Sequence, residues 1–300
     1  MKVVIGGASG LLGTALTQAL RQRGHEVIRL TRGEAAGADE SRWDPYAGLV
    51  DRDLVGSADV VVNLAGAPLV GNPHSQKWAD AVRTSRVTTT RVLAEAIATS
   101  GGHATYLAGN GISFYGDHGA EPLTESSDSR GDALLTSVAR DWEEAALPAS
   151  GAGARVCVLR TAPVLDRTSA PLKQLLLLFK AGLGAKLGDG GQYFPVISLR
   201  DWVDGVVFLA ETEGVSGPVN LCCPDTPTNA EFTQALAKAV HRRALLPAPA
   251  FVLRPAAGRL APELLGSVNA RPQALLDAGF SFRDPDVAAV IAAGIQQPAG

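Results

Sequence analysis

Cysteine is scarce: three in 300 residues, at Cys157, Cys222 and Cys223. Two of them are adjacent and all three lie in apolar runs, which excludes a disulfide framework and leaves buried, reduced thiols as the expectation. The five histidines, His25, His74, His103, His118 and His241, show no ligand spacing, so no metal site is expected. No apolar stretch reaches the length of about 18 residues that a membrane-spanning helix needs. A formal net charge of −3 leaves no basic excess. Nucleic acid and an acidic membrane surface are thereby excluded as main partners. Only Met1 and Lys2 precede the first apolar strand, and glycines end that strand at once, so no secretory leader is expected and a cytoplasmic location is. Internal repeats and low-complexity linkers are also missing.

What is present is a large globular core. Apolar residues make up 46% of the chain and charged residues 19%. Lys2 to Ile5 reads as a short buried strand, and it runs straight into Gly7-x-x-Gly10-x-x-Gly13. Leu11, Leu12, Ala15, Leu16, Ala19 and Leu20 then repeat at helical spacing until Gly24 ends the helix. A second strand, Glu26 to Leu30, completes a βαβ unit. Gly7 and Gly10 allow a sharp turn and close backbone approach to a pyrophosphate, and Gly13 allows helix and strands to pack closely. The loop Gly6-Gly7-Ala8-Ser9-Gly10-Leu11-Leu12-Gly13 therefore reads as a dinucleotide phosphate cradle at a helix N-terminus. The expected fold is α/β: a doubly wound parallel Rossmann sheet with a smaller C-terminal α/β cap.

The end of the second strand separates NAD from NADP. An NAD site places Asp or Glu there to accept from ribose hydroxyls. This chain has Thr31-Arg32, about 20 residues beyond the loop. A guanidinium pairs with a 2′-phosphate, and a carboxylate repels it. Glu34 is close but lies past Gly33 in an expected loop. NADP is the expected cofactor, and the plainer reading of Arg32 is a solvated loop residue. Asp59 to Asn63 forms a third strand ending in Asn63-Leu64-Ala65-Gly66, with small residues where an open sheet binds ligands. Trp78 to Ile97 repeats with helical period and carries Arg86, which could reach a cofactor phosphate or face solvent. Thr105 to Ala108 and Arg155 to Arg160 read as further strands, with a helix around Asp132 to Leu147 between them.

These motifs, with Phe114-Tyr115-Gly116-Asp117 and Arg160-Thr161-Ala162-Pro163-Val164, give the chain its resemblance to the extended short-chain dehydrogenases/reductases, on their epimerase-like branch. Trp43-Asp44-Pro45, Trp142-Glu143, Gly188-Asp189-Gly190-Gly191-Gln192-Tyr193 and Thr228-Asn229-Ala230-Glu231-Phe232 narrow it to an atypical subgroup of epimerase-family NADP-dependent oxidoreductases. The resemblance covers essentially the whole chain. It implies that Thr31 and Arg32 hold the adenosine ribose and its 2′-phosphate. It also implies that Leu64, Ala65 and Gly66 line the crevice, that Arg86 sits near the cofactor, and that Val164 approaches the nicotinamide side. An unidentified small-molecule substrate and a homodimer are further expectations.

The superfamily's proton chemistry is not in its place. Such enzymes use a Tyr, a Lys four residues later that lowers its pKa, and a Ser or Thr. The matching segment, Gly131 to Glu144, holds neither tyrosine nor lysine. The four tyrosines, Tyr46, Tyr106, Tyr115 and Tyr193, have no lysine four residues on, and the serine position falls on Asn110. Two readings remain open. In one, Tyr115 is a substitute acid, with Asn110, Ser113 and Thr136 binding a substrate oxygen; the plainer alternative makes Tyr115 a packing aromatic and the others turn residues. In the other, the chain binds NADP(H) without turnover, as a redox-responsive module.

In the second half, Leu172 to Phe179 is apolar all round and is expected to pack between elements or wall a substrate pocket. Val196 to Leu199 reads as a strand and Asp201 to Glu211 as a helix. Pro218 to Cys222 reads as a strand, and Thr228-x-x-Glu231 opens a helix as a capping box. Pro247 to Pro255 is expected as a proline-punctuated crossing, Phe280 and Phe282 as a strand, and Asp286 to Ile295 as a helix, with 296–300 frayed. The domain expectation is a Rossmann unit of residues 1–165, completed by 194–215, with 166–193 and 216–300 forming the cap.

Overall fold

The computed structural model describes residues 1–244 and 247–296. Seven strands form one parallel sheet: β1 (Lys2–Gly6), β2 (Glu26–Thr31), β3 (Glu40–Arg42), β4 (Val60–Asn63), β5 (Thr105–Gly111), β6 (Val156–Thr161) and β7 (Gly217–Leu221). Their order is β7-β6-β5-β4-β1-β2-β3. The chain leaves β1 in one direction and returns past it in the other, so a crevice opens above β1 and β4 at the carboxyl ends of the strands.

The strands alternate between two cores. Val3, Ile5, Val60, Val62, Leu107, Cys157 and Leu159 face one layer, with Leu16, Leu20 and Trp202. Val4, Val61, Tyr106, Ala108, Val156 and Val158 face the other, with Leu93 and Ile97. Burial on both sides explains why these strands read as continuous apolar runs. The helices around the sheet and its cap include α1 (Leu11–Gln22), α2 (Gln76–Thr99), α3 (Leu134–Glu144), α4 (Ala170–Lys180), α5 (Leu199–Glu211), α6 (Asn229–Ala239), α7 (Ala250–Ala257), α8 (Ala261–Leu265) and α9 (Val287–Ile295), with single-turn helices at Arg52–Gly56, Leu147–Gly151 and Gln273–Asp277. Their starts are chemically marked. Ser75 accepts from the Trp78 amide, Ser198 from Asp201 and Asp286 from Ala289, while Thr228 and Glu231 close the expected capping box.

Several expectations need correction. Residues 217–221, assigned to the cap, are the outermost strand of the large sheet, pairing with β6 from Gly217↔Cys157 to Leu221↔Thr161. The strand expected over Val196 to Leu199 is only Ile197–Ser198, paired with Val164–Leu165 outside that sheet. The leucine run of α4 is not enclosed. Leu172 and Phe179 are buried in a third core with Leu175 and Leu176 against it, whereas Leu177 is 73% exposed. A helix turns only one stripe inward, and 172, 175, 176 and 179 are that stripe. The proline-rich crossing contains a helix, α7, with Pro255 inside it. Phe280 and Phe282 form no strand; they pack edge-on at 4.8 Å, and Phe280 meets Phe208 at 5.4 Å. Of the expected frayed end, 297–300 lie outside the described residues.

The cap crosses the crevice. Arg259 donates its amide to Pro73 O at 3.3 Å and its guanidinium to Gln76 at 2.7 Å. Four residues on, Glu263 accepts from the Leu135 amide at 2.7 Å. The segment thus bridges the loop after β4 and the first turn of α3. Among the described residues no helix is long and apolar enough to cross a membrane.

Candidate cofactor site

The turn after β1 closes with Gly10 N donating to Gly7 O at 3.1 Å. Gly7 has φ +80°, and a Cβ there would stand 2.6 Å from the Ala65 backbone nitrogen. This glycine therefore lets the phosphate loop lie directly on the loop after β4. A Cβ at Gly13 would meet the Ala8 Cα at 2.6 Å, so it serves helix–loop packing. Gly10 differs: its nearest heavy atom would be Gly7 O at 3.5 Å, so its face is open. It caps α1 without any side-chain bond, and α1 has no acidic residue in its first turn. Ser9 is exposed beside it, and Leu11 and Leu12 are half-buried. An uncapped, carboxylate-free helix start with an open glycine is what a pyrophosphate requires.

The loop after β4 forms the second wall. Asn63 is fully buried; its Nδ2 donates to Thr89 at 3.2 Å and Thr90 at 2.8 Å, and its Oδ1 accepts from the Ala65 amide at 3.1 Å. That network ties β4 to α2 and sets the path of Leu64, Ala65 and Gly66. Arg86 reaches over this loop, donating to Ala67 O and Val82 O, both at 3.1 Å. Its guanidinium lies 5.2 Å from the Trp142 ring centroid, and a Cβ on Gly66 would touch its side chain at 3.3 Å. Burial lowers the Arg86 pKa to about 10, so it stays charged at neutral pH. Among the described residues no carboxylate pairs with it.

At the end of β2, Thr31 is half-buried and its Oγ1 accepts from the Gly33 amide at 3.4 Å. Arg32 is exposed and, among the described residues, pairs with no acid. A third cation, missed by the sequence reading, stands alongside. Arg42 ends β3 directly opposite Thr31 in the parallel register and pairs with Glu34 at 2.9 Å. Gly7, Ser9, Gly10, Leu11, Leu12 and Gly13 follow β1, Thr31 and Arg32 stand at the end of β2, and Leu64, Ala65 and Gly66 follow β4, so they lie at the carboxyl ends of three adjacent strands, with Arg86 bonded to the loop after β4. Val164 is nearly buried in its two-residue ladder with Ile197.

The proton-donor candidates are placed differently. Tyr115 has no exposed surface. Its hydroxyl donates to Asn220 Oδ1 at 2.7 Å and accepts from Arg160 at 3.0 Å. Burial pushes its pKa up to about 12, against the opposing pull of Arg160. A phenol sealed between two partners in this way stands as a packing and bonding residue. Asn110 is buried, donating to Ala139 O at 3.0 Å and accepting from the Gly111 amide at 2.7 Å. Thr136 is 1% exposed. Ser113 is half-buried and loosely held, with its hydroxyl 3.5 Å from Leu135 O.

Arg160 organises this floor. Its guanidinium makes a two-pronged pair with Glu143 at 3.0 and 3.1 Å, bonds Glu125 O at 3.2 Å, and stacks 3.5 Å from the Phe114 centroid. Glu263 is the other group the sequence did not reveal. Burial raises its pKa, partly offset by the Leu135 amide, and its Oε2 is buried without a partner. The three thiols are free and buried, with burial pushing Cys157 up to about 11 and Cys223 to about 12. Among the described residues no three His, Cys, Asp or Glu cluster as metal ligands.

Comparison with known proteins agrees with this geometry. The family model of the NAD dependent epimerase/dehydratase family matches residues 3–222. The chain belongs to this family. A domain of unknown function, DUF1731, matches residues 248–293, the segment that carries the cap crossing. An epimerase family protein of Mycobacterium leprae is 38% identical over 297 residues, covering 99% of this chain and 96% of its own. The crystal structure of the human epimerase family protein SDR39U1 with NADPH superposes with a TM-score of 0.86 at 31% identity, covering 98% of this chain and 99% of that one. A structure described as a nucleoside-diphosphate sugar epimerase from Corynebacterium glutamicum gives a TM-score of 0.81 at 37% identity; this chain matches over its full length and covers 59% of that one. This epimerase-family chain therefore has an NAD(P)-binding Rossmann fold and is an atypical extended short-chain dehydrogenase/reductase.

Proposed function

We propose that this epimerase-family chain binds NADP(H) across the carboxyl edge of its sheet and acts as an oxidoreductase on a small molecule under the cap. The observation that carries the cofactor choice is Arg32: an exposed guanidinium at the end of β2, unpaired among the described residues, where an NAD site would place a carboxylate. The relative crystallised with NADPH supports the same choice. The open Gly10 face and the uncapped start of α1 would receive the pyrophosphate. Leu64, Ala65 and Gly66 would line the ribose side, and Arg86 would offer a half-buried cation to the cofactor. When bound, NADPH supplies a hydride for transfer to a carbonyl or enone carbon.

A second reading, binding without turnover, is favoured by one observation. Tyr115 is locked between Asn220 and Arg160, and α3 carries no tyrosine–lysine pair. Titration of the wild type and Arg32→Ala with NADPH and NADH tests the cofactor assignment. The wild type should prefer NADPH, and loss of one charge-assisted phosphate contact should weaken NADPH by about 10-fold or more. Equal affinity of the wild type for both nucleotides would sink it. Oxidation of bound NADPH by any member of a carbonyl and enone panel would decide for the oxidoreductase; tight binding with no oxidation across that panel would decide for the binding module.

A further inference from the structure

The register of the sheet edge carries information that the linear sequence does not. Thr31 pairs with Arg42 across β2 and β3, so Arg42 leaves the sheet at the same level as the chain turning into Arg32. Two arginines, ten positions apart in sequence, therefore leave the sheet edge at neighbouring chain positions. The other charges near it are spoken for. Arg21 and Arg29 hold Asp39 at 2.6 and 3.0 Å, and Arg29 also holds Glu40 at 2.9 Å. Glu40 in turn accepts from the Ala36 amide at 2.8 Å, tethering the loop that carries Glu34. Glu34 is left 87% exposed, with Arg42 as its ion-pair partner at 2.9 Å.

We propose that Arg42 and Glu34 form a cofactor selector: Arg42 is the second guanidinium for the 2′-phosphate of NADP(H), and Glu34 competes with that phosphate for it. The inference rests on the NADP(H) reading above and adds to it the residues that set the preference. An exposed single-pronged pair is weak and screened by salt. A phosphate monoester carries nearly two charges and three strong acceptor oxygens, and two forks can grip it together. The exchange of Glu34 for phosphate on Arg42 is therefore downhill. A ribose 2′-hydroxyl has no charge to offer and leaves the pair intact. Glu34 lies beyond the position where NAD sites place their carboxylate, and Arg42 neutralises it instead of leaving it free for the ribose.

The test is equilibrium titration of the full chain, read by nicotinamide fluorescence for NADPH and NADH and by calorimetry for 2′,5′-ADP and 5′-ADP. Arg42→Gln should weaken NADPH and 2′,5′-ADP by about 10- to 100-fold and leave NADH and 5′-ADP within about twofold. Glu34→Gln should tighten NADPH severalfold, with the gain fading at high salt. Both side chains are exposed, so thermal melts of the variants should overlay the wild type. A wild type that does not prefer NADPH overturns the NADP(H) reading and this inference with it. A wild type that prefers NADPH, with Arg42→Gln unchanged or Glu34→Gln weaker, overturns the selector alone.

Discussion

Tyr115→Phe separates a structural tyrosine from a chemical one. The substitution removes one oxygen and keeps the ring, which packs edge-on against Phe114 at 5.5 Å. The lost hydroxyl made two bonds, to Asn220 Oδ1 at 2.7 Å and from Arg160 at 3.0 Å. Arg160 keeps Glu143 and the Glu125 carbonyl. Asn220 fares worse, because its buried Oδ1 loses its donor, while its Nδ2 stays on Arg271 O. A buried acceptor left unpaired costs about 1–3 kcal/mol. For a chain of this size that is a drop of about 2–6 °C in Tm, at roughly 2 °C per kcal/mol. Urea unfolding at neutral pH gives the free energy, and NADPH titration on the same protein gives the affinity. The expected outcome is clear destabilisation with NADPH affinity unchanged. Unfolding within about 0.5 kcal/mol of the wild type would refute the packing account, since a hydroxyl free of structural work is one that could serve chemistry.

Two further perturbations probe the site from its walls. Gly7→Ala forces a Cβ onto a backbone with φ +80° and to within 2.6 Å of the Ala65 nitrogen. It should cost about 1–3 kcal/mol and, by pushing the two cofactor-binding loops apart, lower NADPH affinity more than tenfold; a melt and a titration matching the wild type would contradict the close approach. Glu263→Gln tests a pH dependence. Burial raises the Glu263 pKa, so the folded chain holds a proton that the unfolded chain gives up. That stabilisation is complete below the ordinary glutamate value and is lost as pH rises through the folded value. Glutamine keeps the acceptor for the Leu135 amide and never ionises. The stability of Glu263→Gln relative to the wild type should therefore grow between pH 4 and pH 8, and a difference constant across that range would show that Glu263 is not buried as described.

What could be read from the sequence and what could not divide along a physical line. The valines of β4 and the glycines at 7, 10 and 13 were legible because each acts within a few residues of itself. Strand alternation, helical period and a phosphate turn are local matters. β3 was not legible: Glu40-Ser41-Arg42 has no apolar pattern, and it is a strand because it lies against Arg29 to Thr31. Arg42 was lost with it. Tyr115 was legible as a residue just beyond a strand end, but not the direction of its ring, which depends on Asn220, 105 positions away. Glu263 reaches Leu135 across 128 positions, and nothing near Glu263 announces it. Cofactor binding in this fold is built from local turns, so it shows in the sequence. Proton chemistry is built from side chains that distant segments bring together, so its absence from the usual segment of α3 says only that the usual arrangement is missing.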